Sequence, residues 1–71
     1  MKYAVVFEPT STGYSAYVPD LDGCVASGAT LDEAHVLMSE ALALHIAGMV
    51  EDGDLIPDPS HVEFVSVAAA V

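Results

Sequence analysis

The four residues Thr30-Leu31-Asp32-Glu33 constrain this chain more than any others. Thr30 can cap a backbone N–H, and Glu33, three positions on, can reach back toward it in the reciprocal pattern of a capping box. Asp32 and Glu33 also suit the positive end of a helix dipole. The pattern predicts a helix from Leu31 to about Val50, roughly 30 Å long, ended by Gly53 and by Pro57 and Pro59. At 100° per residue, Leu31, Ala34, Met38, Ala41, Leu42 and Met49 form one stripe, expected to pack on a sheet. A second stripe of Leu37, Leu44 and the small Gly48 lies about 100° round from the first, and Val36, Ala43 and Ala47 keep much of the far side apolar. A helix apolar nearly all round in so small a protein needs cover on more than one side. Leu37, Leu44 and Gly48 are therefore expected at the interface of a homo-oligomer or with a partner.

The residues before the helix read as strands. KYAVVFE is β-rich, with Tyr3, Val5 and Phe7 on one face and Ala4 and Val6 on the other, and little is polar on either side, as in a central strand. PTSTG is a turn. Tyr14 to Val18 alternates again, and Pro19 lacks the N–H to continue the ladder. Asp22-Gly23 makes a tight reversal and Cys24 to Gly28 returns, giving a three-stranded antiparallel meander. After the helix, His61 to Val67 alternates as a final strand, so the expected fold is α+β with element order βββαβ. The ending Ala68-Ala69-Ala70-Val71 suits a last strand turn or a frayed tail.

A chain of 71 residues is one domain, residues 1–71, whose core is marginal at this size. The lone Cys24 excludes an intrachain disulfide and leaves oligomerisation or a metal as support. A single free cysteine and the absence of a signal-peptide or membrane-length apolar run predict a soluble, cytoplasmic protein. Charge is the strongest global bias: 11 Asp and Glu stand against one lysine and no arginine, a net charge of −10. Nucleic-acid affinity comes largely from cations that displace phosphate counterions, so direct DNA or RNA binding is excluded, as is adhesion to anionic membranes. The acids are either a solvating coat or a surface for a basic protein partner.

No constellation for chemistry emerges. His35 and His45 stand about 15 Å apart along the helix, no His-Glu-x-x-His or Cys-x-x-Cys spacing exists, and no metal or cofactor is expected. Both histidines lie in or beside apolar stripes and read as packed side chains. Cys24 has no neighbouring cation to activate it and reads as a small core residue. Glu51, Asp52 and Asp54 beside Gly53 read as a solvated helix exit.

Taken in order, Gly13-Tyr14-Ser15-Ala16-Tyr17-Val18-Pro19-Asp20-Leu21-Asp22-Gly23-Cys24, Ser27-Gly28-Ala29-Thr30-Leu31-Asp32-Glu33-Ala34, Glu40-Ala41-Leu42 and the Asp52-Gly53 and Ile56-Pro57-Asp58-Pro59-Ser60 tail closely resemble the HicB antitoxin family, from about Tyr3 to Ser60. The resemblance implies a partial ribonuclease H fold. It also implies an inhibitor of a HicA toxin, a small basic endoribonuclease with a double-stranded-RNA-binding-like fold and a catalytic histidine. Two departures stand out: the family usually has proline where Asp22 stands, and many members continue into a helix-turn-helix or ribbon-helix-helix domain. Since this sequence stops at Val71, a short form without that DNA-binding domain is expected.

A nuclease-like scaffold raises the possibility of hydrolysis. Two-metal cleavage needs carboxylates converging from rigid sheet positions, whereas the first strand has Val5 and Val6 at its centre and Glu8 only at its end. The expectation is a scaffold without a catalytic site. Tyr17, Asp20, Leu21 and Asp22 are the candidate partner-binding residues, the aspartates supplying charge and Leu21 and Tyr17 buried anchor area. For Leu21 the alternative is a plug in the end of the core, with the acids forming the turn. The leading expectation is an antitoxin that masks the RNA-binding or catalytic face of a basic HicA-like toxin. The alternative is a solitary oligomeric module of the same fold for another protein or a small ligand.

Overall fold

A computed structural model describes residues 1–69 of the chain. Three strands, β1 (Val6–Thr10), β2 (Gly13–Tyr17) and β3 (Val25–Gly28), precede one helix, α1 (Leu31–Asp52). The strands form an antiparallel sheet in the order β1-β2-β3. Thr10 pairs with Gly13 across a two-residue turn at Ser11 and Thr12, and Phe7, Ala16 and Ala26 lie in line across the three strands. The meander is thus the one expected, but β1 is an edge strand rather than a central one.

The link from β2 to β3 is more elaborate than a single reversal. Leu21 N–H donates to the Val18 carbonyl at 3.1 Å and Cys24 N–H to the Leu21 carbonyl at 3.4 Å, making two successive turns. Val18 N–H closes the loop on the Cys24 carbonyl at 3.2 Å. Pro19 presets the first turn, and Gly23 takes φ 77° in the second, a left-handed conformation that suits glycine at the third position of a type II turn.

The helix starts where the sequence places it. Thr30 is extended, and its hydroxyl accepts from Glu33 N–H at 3.1 Å. Glu33 reaches one residue past the cap, its carboxylate accepting from Ala29 N–H at 3.3 Å. Gly53, at φ 74°, ends the helix. Its N–H donates to the Val50 carbonyl and that of Asp54 to the Met49 carbonyl, the paired bonds of a Schellman motif.

The helix packs across β3 and β2. Ala16, Val18, Leu21, Cys24, Ala34 and Met38 are buried, and Tyr3, Val5, Phe7, Ala26, Leu42, Ile46 and Met49 pack against that cluster. Cys24 is the small core residue expected, its sulfur 4.0 Å from that of Met38, and burial pushes its thiol pKa up. His35 stacks on Phe7 with ring centroids 5.9 Å apart. Because the helix lies over β3 and β2, the inner face of β1 is only partly covered.

The expected final strand over His61 to Val67 does not form: residues 54–69 contain neither strand nor helix. Two contacts tether the start of this tail. Tyr3 hydroxyl donates to the Pro57 carbonyl, and Ser60 donates from both its N–H and its hydroxyl to the Asp20 carboxylate. Beyond Ser60 the side chains are exposed, because no strand lies against them. Part of the expected ending, Ala70 and Val71, lies outside the described residues. Among the described residues no helix is long and apolar enough to cross a membrane.

Candidate functional site

The double turn and the last turns of the helix meet at one end of the molecule. Between them runs an open groove of about 590 Å³ lined by Asp20, Leu21 and Asp22 from the loop, Leu44, His45, Gly48, Met49 and Asp52 from the helix, and Asp54 and Pro57 from the chain beyond it. Four carboxylates thus border a floor that is largely apolar. The groove holds three of the four residues expected to bind a partner together with two of the three expected at an oligomer interface. The sequence offered these as separate patches, since Asp22 and Leu44 stand 22 positions apart.

The individual residues divide by burial. Leu21 is only 3% exposed and belongs to the core cluster, so it is a fixed floor rather than a protruding anchor. Both turns fold its side chain inward, which is the plug alternative. Leu44, by contrast, is 75% exposed. Gly48 sits one turn further on, and a Cβ built there meets nothing within 4 Å. Leu37 is half-exposed on the same stripe, two turns before Leu44, and does not line the groove. Tyr17 is also part-exposed, at the end of β2 and outside the groove.

Asp20 faces two ways. It borders the groove and anchors the tail through Ser60, and the bonds from the Ser60 hydroxyl and N–H hold its carboxyl below its ordinary pKa. Asp52 and Asp54 are the residues that sequence reasoning assigned to solvent. Their only signal was proximity in charge type to Asp20 and Asp22, and nothing local reveals that the helix delivers them to that loop. Among the described residues no group of three or more His, Cys, Asp or Glu is placed to hold a metal ion.

Chemically, the groove sets four carboxylates beside the apolar Leu21, Leu44 and Met49 on a small α+β unit whose thiol is sealed in the core. The comparison with known proteins gives it a family. The profile of the HicB-like antitoxin of bacterial toxin-antitoxin systems matches residues 3–70, and the chain belongs to that family. It is accordingly a member of an antitoxin family and not of an enzyme family.

Among its relatives, an uncharacterised 14.9 kDa protein of Haemophilus phage HP1 is 40% identical over 63 residues, covering 89% of this chain and 47% of that one. Antitoxin HicB 2 of Photorhabdus laumondii is 34% identical over 73 residues, covering all of this chain and 52% of its own. The chain spans about half the length of these two curated relatives. Among solved structures, a chain of the HicA3 and HicB3 toxin-antitoxin complex matches with a TM-score of 0.72 at 32% identity, covering 83% of this chain and 70% of that one.

Proposed function

We propose that this chain neutralises a small basic HicA-like ribonuclease by seating the toxin's cationic, RNA-holding surface in the groove between the double turn and the end of α1. The observation that carries the reading is the groove itself: Asp20, Asp22, Asp52 and Asp54 gathered from two distant segments around Leu21, Leu44 and Met49. A surface built to hold phosphates is complementary to such an array, and the field of a chain with net charge −10 steers it in quickly. Charge sets the rate of encounter, while desolvated apolar area usually dominates affinity. Leu44 supplies that area here, and Gly48 lets the partner approach the helix backbone closely. Leu44 and Gly48 are accordingly assigned to the toxin contact, with Leu37 and Tyr17 flanking it. The match to a chain from a toxin-antitoxin complex supports the choice of partner class.

The test is co-expression with the small basic protein encoded beside this gene, then titration calorimetry and an RNA-cleavage assay. Asp22→Lys with Asp54→Lys is expected to weaken binding at least tenfold, to flatten its salt dependence, and to release cleavage. Leu44→Glu should weaken binding while leaving the salt dependence steep. Unchanged affinity and an unchanged salt slope in the lysine variant would show that the acids only solvate the fold.

A further inference from the structure

Asp20 stands apart from the other carboxylates of the groove. One of its oxygens accepts from the Ser60 N–H at 2.8 Å and the other from the Ser60 hydroxyl, although the two residues are 40 positions apart. Among the described residues, the only carboxylates in a hydrogen bond are those of Asp20, Glu33 and Glu63. Asp22, Asp52 and Asp54 therefore meet an incoming cation with no protein donor to displace, whereas a guanidinium that took both oxygens of Asp20 would have to displace Ser60.

The segment that Ser60 fastens is the third wall of the groove. Asp54 and Pro57 belong to it, beside the walls made by the double turn and the helix. It contains neither strand nor helix, and apart from the half-buried Ile56 and Pro59 its side chains are exposed. Burial therefore holds it weakly, and polar contacts fix its path. Asp54 N–H donates to the Met49 carbonyl at 2.9 Å at one end, the Tyr3 hydroxyl donates to the Pro57 carbonyl midway, and Ser60 closes on Asp20 at the other end. Pro57 and Pro59 fix their own φ and drive Ile56 and Asp58 toward extended backbone. A span stiffened in this way has little conformational freedom left to lose, so one pair of bonds at its far end suffices to place it.

From this arrangement we infer that Asp20 and Ser60 form a latch, in which Asp20 is a positioning residue that holds residues 54–60 as the third wall of the groove and leaves direct contact with the partner's cations to Asp22, Asp52 and Asp54. What the wall is for rests on the proposed function. A partner that meets a wall already in place orders nothing on binding, so the latch contributes to affinity by pre-organisation. Asp20 still adds its charge to the field of the groove, and the bonds from Ser60, which hold its carboxyl below the ordinary pKa, keep that charge in place.

Backbone NMR relaxation on the free chain reads the latch. The order parameters of Leu55, Ile56 and Asp58 should approach the rigid value of about 0.85 in the wild type and fall below about 0.6 in Asp20→Ala. In Ser60→Ala, where the N–H donor remains, they should fall part of the way, and in Ser60→Thr, which keeps both donors, they should stay high. Ser60→Ala added to Asp20→Ala should loosen the segment no further, because the two residues act as one contact. Low values already in the wild type, or values that ignore both substitutions, overturn the inference. Calorimetry with the small basic protein encoded beside this gene reads the consequence: Ser60→Ala should weaken binding by about three- to tenfold with an unchanged salt slope, since no charge is altered, and Ser60→Thr should restore it. Tighter binding by Ser60→Ala would show that the segment obstructs the groove, and unchanged affinity would show that the partner ignores the wall; either result refutes the assignment. Relaxation needs no partner, so a basic protein that fails to bind even the wild type would sink the proposed function while the order parameters still decide the latch.

Discussion

Met38 is the residue on which the core turns. It is the largest fully buried side chain, and it touches Cys24 across the helix-sheet boundary. Met38→Ala should cost about 2–5 kcal/mol, read as a lower urea midpoint with little change in slope. Asp20 carries a different kind of prediction. Its folded pKa lies below the ordinary value because Ser60 donates to its carboxylate from its hydroxyl and its N–H. The contribution of that contact to stability is present above the unfolded carboxyl range and is lost as pH falls through the folded pKa. In NMR titration, Ser60→Ala should move the Asp20 midpoint up toward the ordinary carboxylate value, and in the wild type the Ser60 amide resonance should follow the same acid-limb transition. An Asp20 midpoint that ignores the Ser60 substitution would show that the tether does not hold in solution.

At the scale of elements, the helix was the most legible part of the sequence. The cap, the start at Leu31 and the stop at Gly53 depend on contacts within a few residues, so local pattern suffices to find them. Thr30→Ala should cost about 1 kcal/mol by removing the bond to Glu33 N–H, measured by thermal melting. Gly48 behaves in the opposite way. An interior helix glycine is destabilising by roughly 0.5–1 kcal/mol relative to alanine, and an added Cβ here meets open space. Gly48→Ala should therefore raise the melting temperature of the free chain, while weakening a partner that approaches the helix at this point. Stability gained without any loss of toxin binding would remove Gly48 from the contact. The strands were legible in order and approximate range, but their neighbours were not. Apolar residues on both faces of β1 suit a central strand, whereas the sheet order places it at an edge.

For the whole molecule, charge is the property that reaches furthest. With 11 acids and one lysine, self-repulsion opposes the compact state, most strongly where Asp20, Asp22, Asp52 and Asp54 surround one groove. Raising salt from about 10 mM to about 500 mM shortens the range of that repulsion from tens of ångströms to a few. The melting temperature of the free chain should rise by several degrees, whereas affinity for a basic partner should fall over the same range. A melting temperature indifferent to salt would mean that the carboxylates lie too far apart to repel appreciably.

What the amino-acid order determined by itself was everything written in short-range pattern: three strands then a capped helix, a buried unreactive thiol, an acidic coat, and enough ordered motifs to indicate a HicB-like antitoxin. Only the tertiary structure decided that Leu21 faces inward, that Leu44 and Gly48 share a groove with Asp20 and Asp22, and that β1 stands at an edge. Those outcomes depend on how the double turn closes and on which strands the helix covers. Packing of segments distant in sequence sets both, and no periodicity along one segment encodes the distance to another.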